Sequence, residues 1–123
     1  MSATAPALTD HEAITKVVDQ YIAGGISGRS EDMKPAFFKD ATIYGYLGPE
    51  LFGGPIQGLF DWVDQNPPAT GLKCKIANLE IGETVASARL ELDDWGGHRF
   101  TDMFTLLKVD GEWKIISKVF HLH

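Results

Sequence analysis

The sequence predicts an α+β domain in which three helices from the first half of the chain pack on one face of a curved antiparallel sheet. Three observations favour this class: an amphipathic helix near the start, alternating strand patterns through the second half, and an Asp-Gly turn signal near the end. With 123 residues, the chain fits one domain over residues 1–123 with a single core. A bent sheet closed by helices makes a cone, whose open end is a natural pocket for a small molecule.

The three helices follow from apolar spacing and from capping residues. Thr9 and Glu12 form a capping-box pattern at the start of the first helix, and Gly28 is its expected end. Its apolar stripe contains Ile14, Val17, Val18, Tyr21 and Ile22. A short second helix is expected from about Glu31 to Phe38. The third is marked by Ile56, Leu59, Phe60 and Val63 and ends at Asn66, before two prolines.

The strands are predicted from alternation between apolar and polar residues. Ala41 to Leu47 is the first strand, and the glycine- and proline-rich Gly48 to Pro55 is a loop or a short edge strand. Leu72 to Trp95 forms two strands around a turn at Gly82-Glu83, with a bulge where the apolar phase shifts after Ile76.

The last quarter of the chain, His98 to His123, predicts a long hairpin that turns at Asp110-Gly111. Because side chains alternate faces along a strand, Asp102 shares a face with Phe100 and Phe104. A carboxylate between two phenylalanines is unusual, since burying a charge is unfavourable unless an opposite charge or a hydrogen-bond donor pairs with it. Asp102 is therefore the leading candidate for a functional residue.

The pairing register decides which residue lies beside Asp102. A two-residue loop with unbroken pairing places His121 diagonally opposite Asp102 on the same face. A one-residue bulge would instead turn Phe120 inward. Lys114 and Lys118 share the face of Phe120 and belong more naturally outside, so the sequence favours His121 as the inward residue.

Composition excludes several kinds of partner and site. The net charge is −6 and the 11 lysines and arginines are scattered, which argues against nucleic-acid binding. No leader pattern or long apolar stretch is present, so we expect a cytoplasmic protein without a membrane segment. The single cysteine, Cys74, excludes an internal disulfide, and the four histidines have no ligand spacing. We therefore predict no metal and no other cofactor.

Three segments carry a family resemblance: VVDQYIAGG, FFKDATIYGYLG and FTDMFTLLKVDGEWKIISKVF. They resemble the family labelled "putative lumazine-binding", within the SnoaL-like, nuclear transport factor 2-like (NTF2-like) superfamily. The resemblance spans nearly the whole chain and implies a cone-shaped, cystatin-like fold. It implies no single function, because this fold hosts isomerases, dehydratases, cyclases, binding proteins and dimerising adaptors.

The chain is also similar to the ketosteroid isomerases of that superfamily, in which a tyrosine and a protonated aspartic acid form an oxyanion hole. The resemblance implies these two roles for Tyr21 in VVDQYIAGG and for Asp102 in FTDMF. Gly45 in DATIYGYLG stands where those enzymes carry the catalytic base, which argues against steroid isomerisation. Polyketide cyclases of the superfamily use an acid at the position of Asp102 as the main catalytic group, so acid–base chemistry on another substrate stays open.

Three functional hypotheses follow. The first is a protein that binds a small apolar or aromatic ligand in the conical pocket. The second is an isomerase, dehydratase or cyclase acting on a small cyclic carbonyl compound, with Asp102 as acid or base, Tyr21 as oxyanion donor and His121 as proton partner. The third is a homodimeric assembly module with a vestigial pocket, whose outer sheet face carries Met103, Leu107, Ile116 and Phe120. The aromatic residues that are candidates to line the pocket, if they do not simply fill the core, are Phe100, Phe104, Tyr44, Tyr46, Phe60 and Trp62.

Overall fold

One long helix and one short helix pack against a six-stranded sheet in the computed structural model, which describes residues 8–123. The helices are α1 (Asp10–Ser27) and α2 (Gln57–Gln65), and the strands are β1 (Phe37–Leu47), β2 (Glu50–Pro55), β3 (Lys73–Gly82), β4 (Val85–Trp95), β5 (His98–Val109) and β6 (Glu112–Leu122). Residues 1–7, which belong to the stretch searched for a leader, lie outside the described residues.

Helix α1 begins and ends as the capping signals predict. The Glu12 backbone N–H donates to the Thr9 hydroxyl, and the Thr9 backbone N–H donates to the Glu12 carboxylate, each at 3.2 Å. Gly28 ends the helix in the left-handed region, with φ 71°, where glycine avoids the clash of a side chain. Tyr21 lies on the buried stripe of α1, so its hydroxyl points into the core.

The prediction of a second helix from about Glu31 to Phe38 is wrong, because this segment forms no continuous helix. Residues Ser30–Asp32 and Lys34–Ala36 make two short 3₁₀ turns, and the chain is already extended at Phe37. Pro35 lies inside the second turn, and a proline in an α-helix interior removes a hydrogen bond and clashes with the preceding turn. Between residues 8 and 123 the structure therefore shows two α-helices and two 3₁₀ turns where the sequence predicted three helices.

The strands lie in the order β2-β1-β6-β5-β4-β3. All neighbours are antiparallel except β1 and β6, which run parallel, so the expectation of a purely antiparallel sheet is wrong at this one junction. Segment Glu50–Pro55 is an edge strand, one of the two predicted alternatives. The predicted bulge in β3 is confirmed, because pairing with β4 shifts between Ile76 and Asn78.

The core lies between the helices and one face of the sheet. Helix α1 contacts β3 and β6, and α2 lies near the β2 edge. Within residues 8–123, neither helix is long and apolar enough to cross a membrane. The cytoplasmic location stays a prediction.

Candidate functional site

The β5–β6 hairpin positions the site, and one extra residue in β6 sets its register. Val109 pairs with Glu112, as predicted, and Asp110 and Gly111 both have positive φ, at 52° and 79°. Farther along, Leu106 pairs with Ile115 but Thr105 pairs with Ser117, which leaves Ile116 without a partner. This bulge exchanges the two faces of β6 beyond Ile116.

The bulge overturns the prediction for His121. Asp102 pairs with Phe120, so Phe120 and Lys118 point inward while His121 is exposed on the opposite face. His121 packs against His123 with ring centroids 4.7 Å apart and does not face Asp102. Phe120 is only 8% exposed, so it does not belong to the outer face where the dimer hypothesis placed it.

Three polar side chains meet in the core below the inner face of the sheet. The Tyr21 hydroxyl donates to Oδ2 of Asp102 at 2.6 Å. The Lys118 amine donates to the Tyr21 hydroxyl oxygen and lies 3.7 Å from the same Oδ2. Tyr21, Asp102 and Lys118 are 0%, 1% and 5% exposed, so water reaches little of this Tyr-Asp-Lys cluster.

Burial shifts the pKa of every member of the cluster. It raises the pKa of Asp102, against the opposing effects of the nearby Lys118 ammonium and of the Tyr21 hydrogen bond. It lowers the pKa of Lys118, against the opposing Asp102 carboxylate. It also raises the pKa of Tyr21 well above the usual value, and the negative charge of Asp102 adds to this shift. Burial therefore makes the neutral form of the Lys118 amine and the protonated form of the Asp102 carboxyl group more favourable than they are in water.

Oδ1 of Asp102 is buried and has no hydrogen-bond partner among the described residues. Oδ2 is the acceptor for Tyr21, so a proton on Asp102 would reside on Oδ1 without breaking that bond. An ionised, unpaired oxygen in this position is unfavourable by about 1–3 kcal/mol or more. The geometry thus leaves Asp102 able to hold and release one proton.

An apolar pocket opens above the cluster, between α2 and the sheet. It holds about 440 Å³ of empty space, including the part that is open to solvent. Its walls are aliphatic and aromatic residues of α2, β1, β2, β4, β5 and β6, and Lys118 is the charged residue in this lining. The Lys118 amine lies 5.3 Å from the ring centre of Trp95 and 5.9 Å from that of Phe120. Lys118 is thus the charged side chain nearest to any ligand in this pocket.

Comparison with known proteins assigns the chain to a family. The model of the family described as "Putative lumazine-binding" matches residues 9–121. The chain belongs to this family. The aldolase FrzH of Cladobotryum sp. is 32% identical over 114 residues, which cover 92% of this chain and 91% of that protein.

Solved structures agree with the assignment to the NTF2-like superfamily. An NTF2-like protein of unknown function from Methylobacillus flagellatus KT is 47% identical, with a TM-score of 0.91 over 96% of this chain and 95% of that one. A protein with a cystatin-like fold from Nostoc punctiforme PCC 73102 has a TM-score of 0.74 over 96% of this chain and 80% of its own, at 13% identity, and shows the fold alone. The predicted superfamily is confirmed.

Of the six aromatic residues predicted to line the pocket, two line it, two are buried in the core, and the two tyrosines of β1 are exposed. Phe100 and Trp62 do line it. Phe104 and Phe60 are buried in the core instead, and Phe104 packs edge-on against Tyr21 with ring centroids 5.2 Å apart. Phe104 therefore holds the tyrosine in place and does not face the pocket.

Tyr44 and Tyr46 lie on the outer face of the sheet, 45% and 61% exposed, so their predicted place in the pocket is wrong. The inward residues of β1 are Ile43 and Gly45, which alternate with the tyrosines. Tyr44 pairs with Val119, and Val119 pairs with Met103 on the next strand. These three exposed residues, Tyr44, Val119 and Met103, form an outer apolar row across the sheet.

Gly45, the residue that the resemblance to ketosteroid isomerases matches with their base, leaves no room for a side chain. A Cβ atom at Gly45 would lie 2.6 Å from the Phe120 ring and 2.6 Å from the Phe120 carbonyl oxygen. No carboxylate fits there while Phe120 keeps its place in the pocket wall. The chemistry of this site must therefore use other groups.

Lys118 is the functional candidate that sequence reasoning missed. The signal that could have found it is the pair Ile115-Ile116, where two adjacent apolar residues interrupt the alternation of β6. Reading the strand across a bulge at this pair turns Lys118 and Phe120 inward together. In the part of the chain that the structure describes, no cluster of three or more His, Cys, Asp or Glu side chains could hold a metal ion.

Proposed function

We propose that this protein is an enzyme that moves a proton at the carbon next to a carbonyl group of a small apolar or aromatic compound, as in aldol-type bond formation or cleavage. The observation that carries the proposal is the buried Tyr-Asp-Lys cluster, one member of which, Lys118, lines an otherwise apolar pocket. A pocket for binding alone does not need a buried ionisable pair, whose desolvation is unfavourable by several kcal/mol per ion.

The pocket would orient its ligand by polarity. Aromatic and aliphatic walls favour the apolar body of the compound, and the amine of Lys118 offers the hydrogen bond that a carbonyl oxygen needs. Removing a proton beside a carbonyl places negative charge on that oxygen. A preorganised donor in a site with little water stabilises this charge more strongly than water does.

Lys118 would exchange protons with the ligand, because it is the member of the cluster that reaches the pocket lining. A general acid or base works best when its pKa lies near the working pH, and burial lowers the pKa of Lys118 in that direction. Tyr21 connects Lys118 to Asp102 through two hydrogen bonds and can pass a proton between them. Asp102 would then hold a proton that passes to and from the Lys118 amine through Tyr21.

The family relationship supports this class of reaction. The aldolase FrzH is related over nearly the full length of both chains, and an aldolase makes or breaks a carbon–carbon bond next to a carbonyl. Membership in a family described as lumazine-binding supports the coarser statement that the protein binds a small molecule. Both points agree with a pocket lined by aromatic residues.

The test is exchange of carbonyl-adjacent protons for deuterium. A panel of cyclic and aryl ketones, with β-tetralone and cyclohexanone as first probes, is incubated with the protein in deuterium oxide and followed by proton NMR. We expect the wild type to accelerate exchange, and Asp102→Asn and Lys118→Met to lose about 10²–10⁴-fold of the acceleration.

Lys114→Met is the matched control for this experiment. Lys114 lies on the same strand, but its amine donates to the Pro35 carbonyl oxygen outside the pocket, so its removal should leave exchange unchanged. Ketones that bind, by chemical-shift changes at Phe100 and Trp62, but exchange no faster than in free solution would contradict the enzyme and leave a binding protein. Equal exchange by wild type and Asp102→Asn would contradict the role of the cluster.

A further inference from the structure

Lys118 combines features that a lysine needs in order to attack a carbonyl carbon. Its side chain lies in the pocket wall, and its amine lies 5.3 Å and 5.9 Å from the ring centres of two other wall residues, Trp95 and Phe120. The amine is held by the Tyr21 hydroxyl, which fixes its direction. The surrounding rings exclude water, which would otherwise reverse the condensation.

We infer that Lys118 is a nucleophile that forms a Schiff base with an aldehyde or ketone bound in the apolar pocket. This inference rests on the proposed function and names its intermediate. It assigns to Lys118 a covalent role, beyond proton transfer alone, and it limits the substrate class to compounds with an accessible aldehyde or ketone group. Amides and carboxylates are excluded, because their carbonyl carbons do not condense with an amine in this way.

The condensation needs only groups that the site already holds. The lone pair of the neutral amine attacks the carbonyl carbon, a carbon–nitrogen bond forms, and the carbonyl electron pair moves to oxygen, which takes up a proton. The resulting carbinolamine loses its hydroxyl group as water after a second protonation. Nitrogen gives up two protons overall, so one amine and one carbonyl yield one imine and one water.

Tyr21 and Asp102 are placed to carry these protons. The Tyr21 hydroxyl touches both the amine and Oδ2 of Asp102, so it can pass a proton from the carboxylic acid to the departing hydroxyl. A protonated imine is positively charged, and the carboxylate left on Asp102, whose Oδ2 lies 3.7 Å from the amine nitrogen, would be its counter-ion. Burial, which lowers the pKa of Lys118, increases the fraction of neutral amine available for attack.

The protonated imine explains why one cluster could serve aldol-type chemistry. Its positive nitrogen withdraws electrons through the imine carbon, so a proton on the adjacent α carbon, or the bond from that carbon to the β carbon, breaks more easily. The electron pair of the broken bond forms the carbon–carbon double bond of an enamine, while the π pair of the carbon–nitrogen double bond moves onto nitrogen. Reversal of these steps and hydrolysis return the free amine and the carbonyl product, so no external oxidant or reductant is consumed.

Reductive trapping tests the inference on the intact protein. β-Tetralone is added with sodium cyanoborohydride, which reduces an iminium ion much faster than a ketone, and the adduct is located by mass spectrometry of the whole chain and of its peptides. We expect one adduct, on Lys118, that forms at least about tenfold faster than an adduct on any other lysine. Lys114→Met should keep it, whereas Lys118→Met and Lys118→Arg should lose it.

Lys118→Arg tests both roles of the amine, because arginine keeps the positive charge but neither condenses with a ketone nor acts as a base under these conditions, so adduct and exchange should both be lost. Deuterium exchange that the wild type accelerates and Lys118→Arg loses, with no adduct on wild-type Lys118, overturns the Schiff base and leaves acid–base catalysis standing. Adducts spread evenly over the exposed lysines also overturn it. Trapping in the wild type needs no variant to fold, so a destabilised mutant does not spoil the test.

Discussion

Removing the buried lysine should destabilise the fold in a manner that depends on pH. Lys118→Met fills much of the same space but leaves Asp102, 1% exposed, without its cation, while Oδ1 already lacks a partner among the described residues. Loss of one member of a buried ion pair is unfavourable by about 3–5 kcal/mol. We expect a loss of that size in the free energy of unfolding at pH 7.

The sign of the pH dependence follows from Asp102. Burial raises the pKa of Asp102 in the folded state, and loss of Lys118 removes the main effect that opposes this rise. A raised folded pKa gives stability that is fully present below the unfolded value, near 3.8, and that is lost as the pH rises through the folded pKa. The difference between Lys118→Met and the wild type should therefore shrink towards pH 4.

A second substitution isolates the charge. Asp102→Asn keeps an oxygen that accepts the Tyr21 hydroxyl hydrogen but carries no charge, so the double variant Lys118→Met, Asp102→Asn should recover to within about 1–2 kcal/mol of the wild type. Unfolding in urea, followed by tryptophan fluorescence, measures all four proteins. A loss below about 1 kcal/mol in Lys118→Met, or a loss equal at pH 7 and pH 4, would refute the buried charge pairing.

Three further outcomes test other parts of the structure. Burial and the nearby Asp102 carboxylate raise the pKa of Cys74 to about 11, so the rate of its alkylation by iodoacetamide should rise about tenfold per pH unit until the pH nears that value. Asp102→Asn should lower the pH at which this rate stops rising. A wild-type rate that stops rising near pH 9 would contradict the shift. Gly45→Ala should force the Phe120 ring into the pocket, destabilise the fold by about 1–3 kcal/mol and weaken binding of β-tetralone in NMR titrations, whereas unchanged binding would contradict the close approach. If the outer apolar row joins two copies, Val119→Glu should convert a dimer to a monomer in sedimentation at tens of micromolar, and a monomeric wild type would remove the predicted homodimer.

Much of the fold was predictable because its signals are local. The Thr9 capping box, the Gly28 helix end and the Asp110-Gly111 turn depend on neighbouring residues alone, and each is present. The parallel contact between β1 and β6 has no such signal, since it joins strands separated by about half of the chain. Pairings of this kind are decided by tertiary packing, and the pattern of apolar and polar residues along either strand does not reveal them.

The candidate site was predictable only in part, for an energetic reason. Asp102 and Tyr21 stood out as polar residues on apolar faces, and they are hydrogen-bonded to each other. Lys118 was assigned to the outside because burying an unpaired ammonium is unfavourable, which is correct for a strand considered alone. Its partners come from α1 and β5, so the burial is tolerated only in the assembled domain.

The position of a bound ketone tests the central claim most directly. In a crystal structure of the protein with β-tetralone, we predict the fused rings against Trp62 and Phe100, with the carbonyl group at the Lys118 amine, either hydrogen-bonded to it or joined as an imine. A ketone bound outside the pocket, or one whose carbonyl group points to the open mouth and away from Lys118, would contradict the account.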